Sequence, residues 1–447
     1  MSLEDKTFKR QKIAPRLKPL PYSLHDLEAQ LKKPTLTKQL TINNTAFYAN
    51  DDNPLNKRGF QYKPCRPNPF FESTLYSTSD LPPFTTRLSY FDKSPGIFID
   101  SDCTQATALQ GWRSIRANVP IQQGKWYVEF KIIKGNDVGD AGNSHVRFGF
   151  GRKEASLEAP VGFDGYGYGF RDKFGQCVHL SKPGFTPGNT MEDDQNFKTG
   201  DVIGLLIELP SIEVQEEIVR KQIEQKTVSQ PTEDTDEIEE QESKKAIVNG
   251  FEDSAASKEL DSGVIRDQIP IKYKNQLYFE QYDYNSSTQM EHLLNPVTVF
   301  GEKAIPDKEK FKPCRLPQSS ITLFKNGKNK GVAFESLYSF LPPSSEQKLA
   351  SKRSDSKGSF NVSRNDGSLG YYPMVSCFNK GIIQLCSGPD LEVVPKDIES
   401  ELASGEIRMY CERYSERVIE EYVYDLIDEV TNKYLDDIED SLPRYSD

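Results

Sequence analysis

The sequence lacks any long apolar run, and this absence excludes several classes of protein at the outset. Across its 447 residues, no stretch approaches the roughly 18 consecutive apolar residues that a membrane span requires. The N-terminus, MSLEDKTFKRQK, has no apolar segment of the kind found in signal peptides. We therefore expect a soluble, intracellular chain that does not associate with membranes.

Residues that build metal and disulfide sites are scarce. The seven cysteines are scattered without a CxxC pair, and none of the four histidines stands three or four positions from another. Zinc sites need such spacings, and disulfide frameworks belong to oxidising compartments. The sequence therefore predicts free, mostly buried thiols, and it predicts neither a metal site nor a cofactor.

Catalytic signatures are missing as well. The chain has no GxSxG, GxxxxGK[ST] or HExxH motif, and its glycines at 165, 167 and 169 do not follow GxGxxG. Cys177 and His179 share one face of a strand, but no third group is in place to activate them. Carboxylates are concentrated in an acidic segment, where nothing would shift their pKa. These absences favour a binding protein over an enzyme.

Charge and hydropathy divide the chain into unequal parts. It carries 56 Lys and Arg against 67 Asp and Glu, a net charge of −11, and only 36% of its residues are apolar. Residues 1–45 are predicted to be a basic, disordered tail, followed by an extension over 46–85. In the tail, Lys9, Arg10 and Lys12 form a basic cluster, which is either a nuclear-import signal, a DNA contact or simply a solvated segment.

Residues 86–395 alternate with the period of β-strands. Trp126, Val128 and Phe130 lie on one face of a strand, and in residues 165–170 aromatic side chains alternate with glycine. Because strand follows strand without a helical period, the predicted fold class is all-β, an antiparallel sandwich. Two insertions interrupt it: an acidic one at 211–262, predicted to be disordered or loosely helical, and a Ser/Lys/Arg-rich loop at 344–366.

The last segment, 396–447, changes to a helical period after a polar connector. Ser415 is placed to cap a helix that has Glu416 in its first turn. Apolar residues then recur at spacings of three or four and fall within about 120° of one another on a helix. They form what we call the apolar stripe: Ile419, Tyr422, Val423, Leu426, Val430 and Tyr434. The opposite side carries Glu421, Asp425 and Asp428, and no neighbouring helix is present to cover the stripe.

Several segments of the chain resemble the SPRY domain of the Ash2-like subunits of COMPASS/MLL histone-methyltransferase complexes, in their fungal form. The matching region runs from Arg87 to Pro395, more than half of the chain. The segments are LSYFDKSP (88–95), GWRSIRA (111–117), GKWYVEF (124–130), VRFGF (146–150), APVGFDGYGYGFR (159–171), DVIG (201–204), QLYFE (276–280), FKNGKNKGVA (324–333) and YPM (372–374). The resemblance implies a SPRY β-sandwich with long insertions.

The resemblance also implies two docking surfaces. In the family, an aromatic residue, two arginines and a Pro-x-x-aromatic pocket receive an acidic and apolar segment of the WD-repeat β-propeller subunit. The matching positions here, which we call the arginine notch, are Trp112, Arg147, Pro160, Phe163 and Arg171. The apolar stripe falls where the family binds a small helical homodimer of the Dumpy-30 type, with Ile419, Val423, Leu426 and Val430 as anchors.

From the resemblance we expect a nuclear, non-catalytic scaffold that supports a SET-domain histone H3 lysine-4 methyltransferase. Contact with nucleosomal DNA would be weak and local, through the basic tail and the loop at 344–366. The family often has tyrosine at Trp112 and Phe163, and its animal members carry a zinc-finger and winged-helix region that residues 1–85 do not match. Two alternatives stay open: a SPRY module that selects substrates for ubiquitin ligation, which would need an adaptor-binding box or RING cysteines, and an enzyme with an unrecognised site.

Overall fold

Antiparallel strands dominate the computed structural model, which describes residues 18–50, 53–54, 59–136, 143–187, 196–228, 263–287, 290, 313–350 and 359–441. The helices are α1 Leu24–Glu28, α2 Ile212–Val228, α3 Glu399–Ser404 and α4 Arg413–Ser441. The first strands are β1 Leu36–Ile42, β2 Thr45–Asn50, β3 Phe60–Pro67, β4 Tyr76–Thr78, β5 Leu88–Lys93, β6 Ile97–Ile99, β7 Gln105–Ala108, β8 Arg113–Ala117, β9 Gly124–Lys134, β10 His145–Gly151, β11 Gly167–Arg171 and β12 Cys177–His179. The others are β13 Lys182–Gly184, β14 Val202–Leu209, β15 Ile269–Tyr273, β16 Gln276–Tyr282, β17 Tyr284–Asn285, β18 Ser320–Lys325, β19 Lys328–Glu335, β20 Glu346–Ala350, β21 Ser359–Val362, β22 Tyr372–Phe378, β23 Ile382–Cys386 and β24 Arg408–Met409.

Two large sheets form the two layers of a sandwich. The ten-stranded sheet has the order β1-β2-β6-β7-β23-β9-β14-β18-β19, and β24 joins it in parallel to β9. The seven-stranded sheet has the order β13-β12-β11-β10-β22-β8-β5. Two smaller sheets, β15-β16-β3-β4 and β17-β20-β21, complete the strands.

The main core forms between the alternating faces of the two large sheets. Phe130 of β9 stacks on Phe148 of β10 with ring centroids 5.5 Å apart, and Phe148 stacks on Phe170 of β11 at 6.0 Å. Asn326-Gly327, a dipeptide that favours tight hairpins, joins β18 to β19, and both residues have positive φ, 50° and 75°. The predicted antiparallel β-sandwich is therefore confirmed.

The predicted boundary between a disordered tail and the sandwich is wrong for the residues from 18 onward. Strand β1, which lies inside the predicted tail 1–45, pairs with β2, and Tyr48 of β2 pairs with Ile99 of β6. The interval 46–85 therefore extends the ten-stranded sheet, in addition to supplying β3 and β4 of a smaller one. Strand β1 could not be recognised from the sequence because this edge strand has one solvated face and therefore many polar side chains. Lys9, Arg10 and Lys12 lie outside the described residues.

Both predicted insertions begin with ordered structure. In the acidic insertion, α2 covers the core through Val219, and the buried Gln215 amide donates to the carbonyls of Gln122 and Pro210, each at 2.8 Å. In the interval 344–366, β20 and β21 form an antiparallel pair. The helical alternative for the acidic insertion therefore holds for α2, whereas the predicted loop at 344–366 is wrong for the residues of β20 and β21. Residues 229–262 and 351–358 lie outside the described residues.

The segment after Pro395 is also more than a polar connector. Ile398, Leu402 and Ile407 pack on Tyr127, Leu206 and Phe324, the outer face of the ten-stranded sheet. The predicted N-cap at Ser415 is wrong, because α4 starts at Arg413. There the Tyr410 hydroxyl donates to the Val119 carbonyl at 2.6 Å, and Arg413 Nε donates to the Pro120 carbonyl at 2.9 Å. Tertiary contacts therefore start this helix two residues before the local cap signal.

Candidate docking sites

The arginine notch lies on the outer face of the seven-stranded sheet. Arg147 of β10 and Arg171 of β11 are directly opposite each other in the antiparallel register. Opposed like charges destabilise a sheet unless an anion lies between them. In the described part of the chain, neither arginine forms an ion pair with a carboxylate, so the pair presents two cations side by side.

Arg147 is partly buried, and one of its donors is shielded from solvent. Its guanidinium lies over the Trp112 ring, 4.9 Å from the centroid, and its buried Nε has no hydrogen-bond partner among the described residues. Burial, followed by the charge of Arg171, lowers the pKa of Arg147 to about 10. A buried cation with an unused donor is stabilised by a carboxylate, which accepts two parallel hydrogen bonds from the guanidinium.

The wall beside Arg147 is aromatic. Trp112 packs against Phe378 of β22 with centroids 5.3 Å apart, and Phe378 in turn lies near His145. His145 Nδ1 is 3.1 Å from the Asp172 carboxylate, which also accepts from the backbone N–H of Val146. Asp172 is an acid close to Arg147, and it is engaged by its own hydrogen bonds.

The loop that carries Pro160 and Phe163 sits directly on this sheet. The Ser114 hydroxyl donates to the Ala159 carbonyl at 2.6 Å, and Val161 N–H donates to the Ser376 hydroxyl at 2.9 Å. Ser376 is the cross-strand neighbour of Arg147. Phe163 is exposed, and its N–H closes a turn on the Pro160 carbonyl at 3.0 Å.

The alternating glycines of β11 make this close approach of loop and sheet sterically feasible. A Cβ on Gly169 would lie 2.5 Å from the Val161 carbonyl oxygen. Gly162, with φ of +82°, lies against β12, where a Cβ would be 2.3 Å from the Val178 carbonyl oxygen. The glycines that alternate with aromatic residues in this strand therefore leave the bare backbone on which the loop sits, and the five predicted notch residues lie on this face of the sheet.

Three residues that shape the notch were missed by sequence reasoning: Ser114, Ser376 and Phe378. Ser114 is buried beneath the loop, next to the core residue Ile115 on the same strand. The two serines stand at outward positions of strands whose other face is apolar, so strand alternation carried a signal for them. Nothing in the sequence indicated that a loop would cover them.

The second surface is on α4, whose polar side faces the protein. Arg266, with a fully buried side chain, donates to Glu421 at 3.2 Å, Asp425 at 2.9 Å and Asp428 at 2.7 Å. Lys63 and Arg417 also pair with Glu421. The acidic side of the helix, which carries Glu421, Asp425 and Asp428, is therefore the face that packs on the protein.

The apolar stripe consequently points to solvent. Its six side chains are between 40% and 69% exposed, and Val418 and Ile427 beside them are about half exposed. A contiguous row of large apolar side chains on a surface helix marks an interaction site in a soluble protein. The helix thus has the reverse of the usual orientation, with ion pairs inward and aliphatic side chains outward.

Acidification is expected to weaken the packing of α4 on the rest of the protein. Burial alone would raise the pKa of Glu421, but Arg417, Lys63 and Arg266 outweigh it and hold the pKa at about 2, below the ordinary value of 4.5. Because the folded pKa is the lower one, this carboxylate stabilises the folded protein above pH 4.5, and the stabilisation is lost as pH falls from 4.5 toward 2. Thermal unfolding of wild type and Glu421→Gln should show a stability gap, on the order of 2–4 kcal/mol at pH 6, that shrinks by pH 3. A gap that does not change with pH would contradict this account.

The described residues contain no group of three or more His, Cys, Asp or Glu side chains that could hold a metal, and none of their helices has the length and apolarity needed to cross a bilayer. Cys177 donates to the Phe185 carbonyl and His179 Nδ1 contacts the Gly167 carbonyl, so each is engaged with the backbone. All seven cysteines are free thiols.

The chain has a distant likeness to solved SPRY domains. The chain is similar to the SPRY domain of human HERC1, with 11% identity and a TM-score of 0.28 over 64% of this chain and 91% of that one. A second human SPRY domain gives 11% identity and a TM-score of 0.26, over 66% and 98%. Likenesses this weak carry no argument about function, and no family model matches the chain.

Sequence relatives are more informative. The chain is 36% identical to the Set1 complex component ash2 of Schizosaccharomyces pombe, over 93% of this chain and 52% of that protein. It is 34% identical to the COMPASS component cclA of Colletotrichum higginsianum, over 86% and 68%. It is 31% identical to the COMPASS component BRE2 of Saccharomyces cerevisiae, over 86% and 89%. The chain thus spans about half of the Schizosaccharomyces protein but most of the Saccharomyces one, and on this evidence it belongs to the family of COMPASS components that includes ash2, cclA and BRE2.

Proposed function

We propose that this chain is a non-catalytic, nuclear subunit of a Set1-type histone H3 lysine-4 methyltransferase complex. In this role the arginine notch binds an acidic and apolar segment of the WD-repeat propeller subunit. The apolar stripe binds a Dumpy-30-type homodimer. By holding both, the chain supports the active arrangement of the SET-domain subunit. The relatives' names, all components of Set1 or COMPASS complexes, are consistent with this role and do not favour the ubiquitin-ligase alternative.

The outward apolar stripe is the observation that carries the proposal. A helix fastened by buried ion pairs on one side is held in a single orientation, so its aliphatic side chains are available without reorganisation of the helix. Helix-in-groove recognition uses apolar anchors at this spacing. At roughly 1.5–3 kcal/mol for each fully buried aliphatic side chain, four anchors suffice for tight binding after the costs of association.

The arginine notch supports the same role by its charge. Two adjacent guanidinium groups, one with an unpaired buried donor, favour a partner that supplies carboxylates. The exposed Phe163 ring and the half-buried Trp112 ring offer apolar surface on the same face of the sheet as that charge. An acidic segment flanked by apolar residues matches this arrangement, whereas a basic partner would be repelled.

Reconstitution tests the proposed function directly. We expect the full chain to bind the propeller subunit and the dimer separately, and to raise histone H3 lysine-4 methylation by the SET-domain subunit when all four are mixed. The chain alone should transfer no methyl group, because its role is to position others. Quantitative mass spectrometry of methylated H3, with and without the chain, gives the readout. Unchanged methylation together with failure to bind either partner would reject the proposal.

The basic cluster at Lys9, Arg10 and Lys12 remains a predicted nuclear-import or DNA-contact element, and the loop at 344–366 remains a predicted DNA contact.

A further inference from the structure

The loop between β3 and β4 presents an aromatic ring to solvent from an ordered backbone. Phe70 is 92% exposed, whereas its neighbour Phe71 is buried at 6%. The loop is closed by Asn68, whose N–H donates to the Leu75 carbonyl at 2.9 Å and whose side-chain oxygen accepts from Phe70 N–H at 3.0 Å. Phe71 therefore anchors the loop, and the neighbouring ring is held outward.

This loop is fastened to α4. The Glu429 carboxylate accepts from the backbone N–H groups of Glu72 at 2.7 Å, Ser73 at 3.0 Å and Thr74 at 2.8 Å, and also from the Thr74 hydroxyl. One turn further along the helix, Lys433 Nζ donates to the Glu72 carboxylate at 2.5 Å. Four donors on one carboxylate hold the loop at a defined place on the helix, and they lower the pKa of Glu429 although burial opposes this.

The points of attachment lie at the long edge of the apolar stripe. On a helix that turns about 100° per residue, Glu429 lies about 60° from Leu426, and Lys433 lies about 20° from it two turns away. The loop that carries Phe70 is therefore attached beside the C-terminal half of the stripe, at Glu429 and Lys433. The exposed Phe70 ring and the exposed stripe side chains thus belong to two segments that are fastened to each other.

We propose that Phe70 is a further specificity-determining residue for capture of the helical homodimer, which contacts the helix and this loop together. The inference rests on the proposed function and names the same partner. A groove that receives a helix about 10–12 Å across must contact its flanks as well as its centre. Because aromatic side chains are enriched among interface anchors, a rigidly held phenyl ring at the flank adds affinity that the helix alone does not provide.

Calorimetric titration of the full chain with the purified dimer tests this. Phe70→Ala is expected to weaken binding about 10-fold, with no change in melting temperature because the ring is almost wholly exposed. The matched control is Phe185→Ala, which removes a 94% exposed ring that follows β13, and it should bind as wild type. Glu429→Ala should weaken binding to a similar extent by releasing the loop, and the double variant with Phe70→Ala should show little further loss.

The outcomes separate the inference from the proposed function. If Leu426→Glu abolishes capture while Phe70→Ala binds as wild type, the role of Phe70 is overturned and the proposed function stands. If Leu426→Glu still captures the dimer, both fail together. Additive losses in the Phe70→Ala, Glu429→Ala double variant would show that Glu429 acts independently of the loop, and they would overturn its positioning role.

Discussion

Replacing Leu426 by glutamate is expected to abolish capture of a Dumpy-30-type dimer. Leu426 lies near the centre of the apolar stripe and is 40% exposed in the free chain, so the substitution leaves the sandwich core untouched. The loss combines about 1.5–3 kcal/mol of apolar burial with a cost of several kcal/mol for burying an unpaired carboxylate in the interface. At 1.4 kcal/mol for each factor of ten, binding should weaken by roughly 1,000-fold or more. Calorimetric titration of the purified dimer into the full chain measures this change in the dissociation constant.

A matched control is available on the sandwich. Val332 of β19 has nearly the same exposure, 41%, and lies away from α4 on an edge strand. Val332→Glu should bind the dimer as wild type does. Both variants should keep the wild-type melting temperature. An unchanged melting temperature would show that a loss of binding comes from the substituted side chain and not from unfolding. Co-purification of Leu426→Glu with the dimer would remove the stripe as the docking surface.

Replacing Arg147 by alanine is expected to lower affinity for the propeller subunit's acidic segment by about 1.5–3 kcal/mol, the range for hydrogen bonds to charged groups. That corresponds to about 10- to 150-fold in the dissociation constant. The buried Nε without a partner and the stacking on Trp112 indicate that the guanidinium is already positioned before binding. Arg171→Ala should give a loss of similar size, measured by titration with the acidic segment.

Two further variants make the test of the notch specific. Arg147→Lys keeps the charge but loses the planar fork and the stacking on Trp112, so it should recover only part of the affinity. Arg315→Ala removes a different stacked arginine, over Tyr338 and bonded to the Ser336 carbonyl, and should leave the segment's affinity unchanged. Wild-type affinity in Arg147→Ala, with the fold intact, would reject the assignment of the notch.

Much of the sandwich could be predicted from local pattern alone. In β9 and β10 the alternation of side chains already placed Phe130 and Phe148 in the core, where their rings stack. The hairpin at Asn326-Gly327 could be predicted because the tight turn requires positive φ at both positions. Asparagine and glycine adopt positive φ more readily than other residues, and both do so here. These features depend on residues close in sequence, so a single chain displays them.

The candidate sites were only partly predictable. The five notch residues could be named from the family resemblance, but their convergence on one face depends on the loop that sits on Gly169 through Ser114 and Ser376. Strand β1 was missed, and helix α2 was expected only as a loosely helical alternative, because polar side chains cover their exposed faces, while backbone pairing and distant core residues stabilise them. Long-range contacts of this kind leave no local periodicity.

The sequence by itself determined that α4 has an apolar side and an acidic side. Helical periodicity fixes the angle between two faces, but it does not say which of them turns inward, and an apolar face usually packs on the core. Only the tertiary structure decided the orientation, because Arg266 and Lys63, both more than 150 positions away from Glu421, bring cations to the acidic side. Burying those ion pairs left the aliphatic side chains in solvent, and the proposed docking surface depends on this orientation.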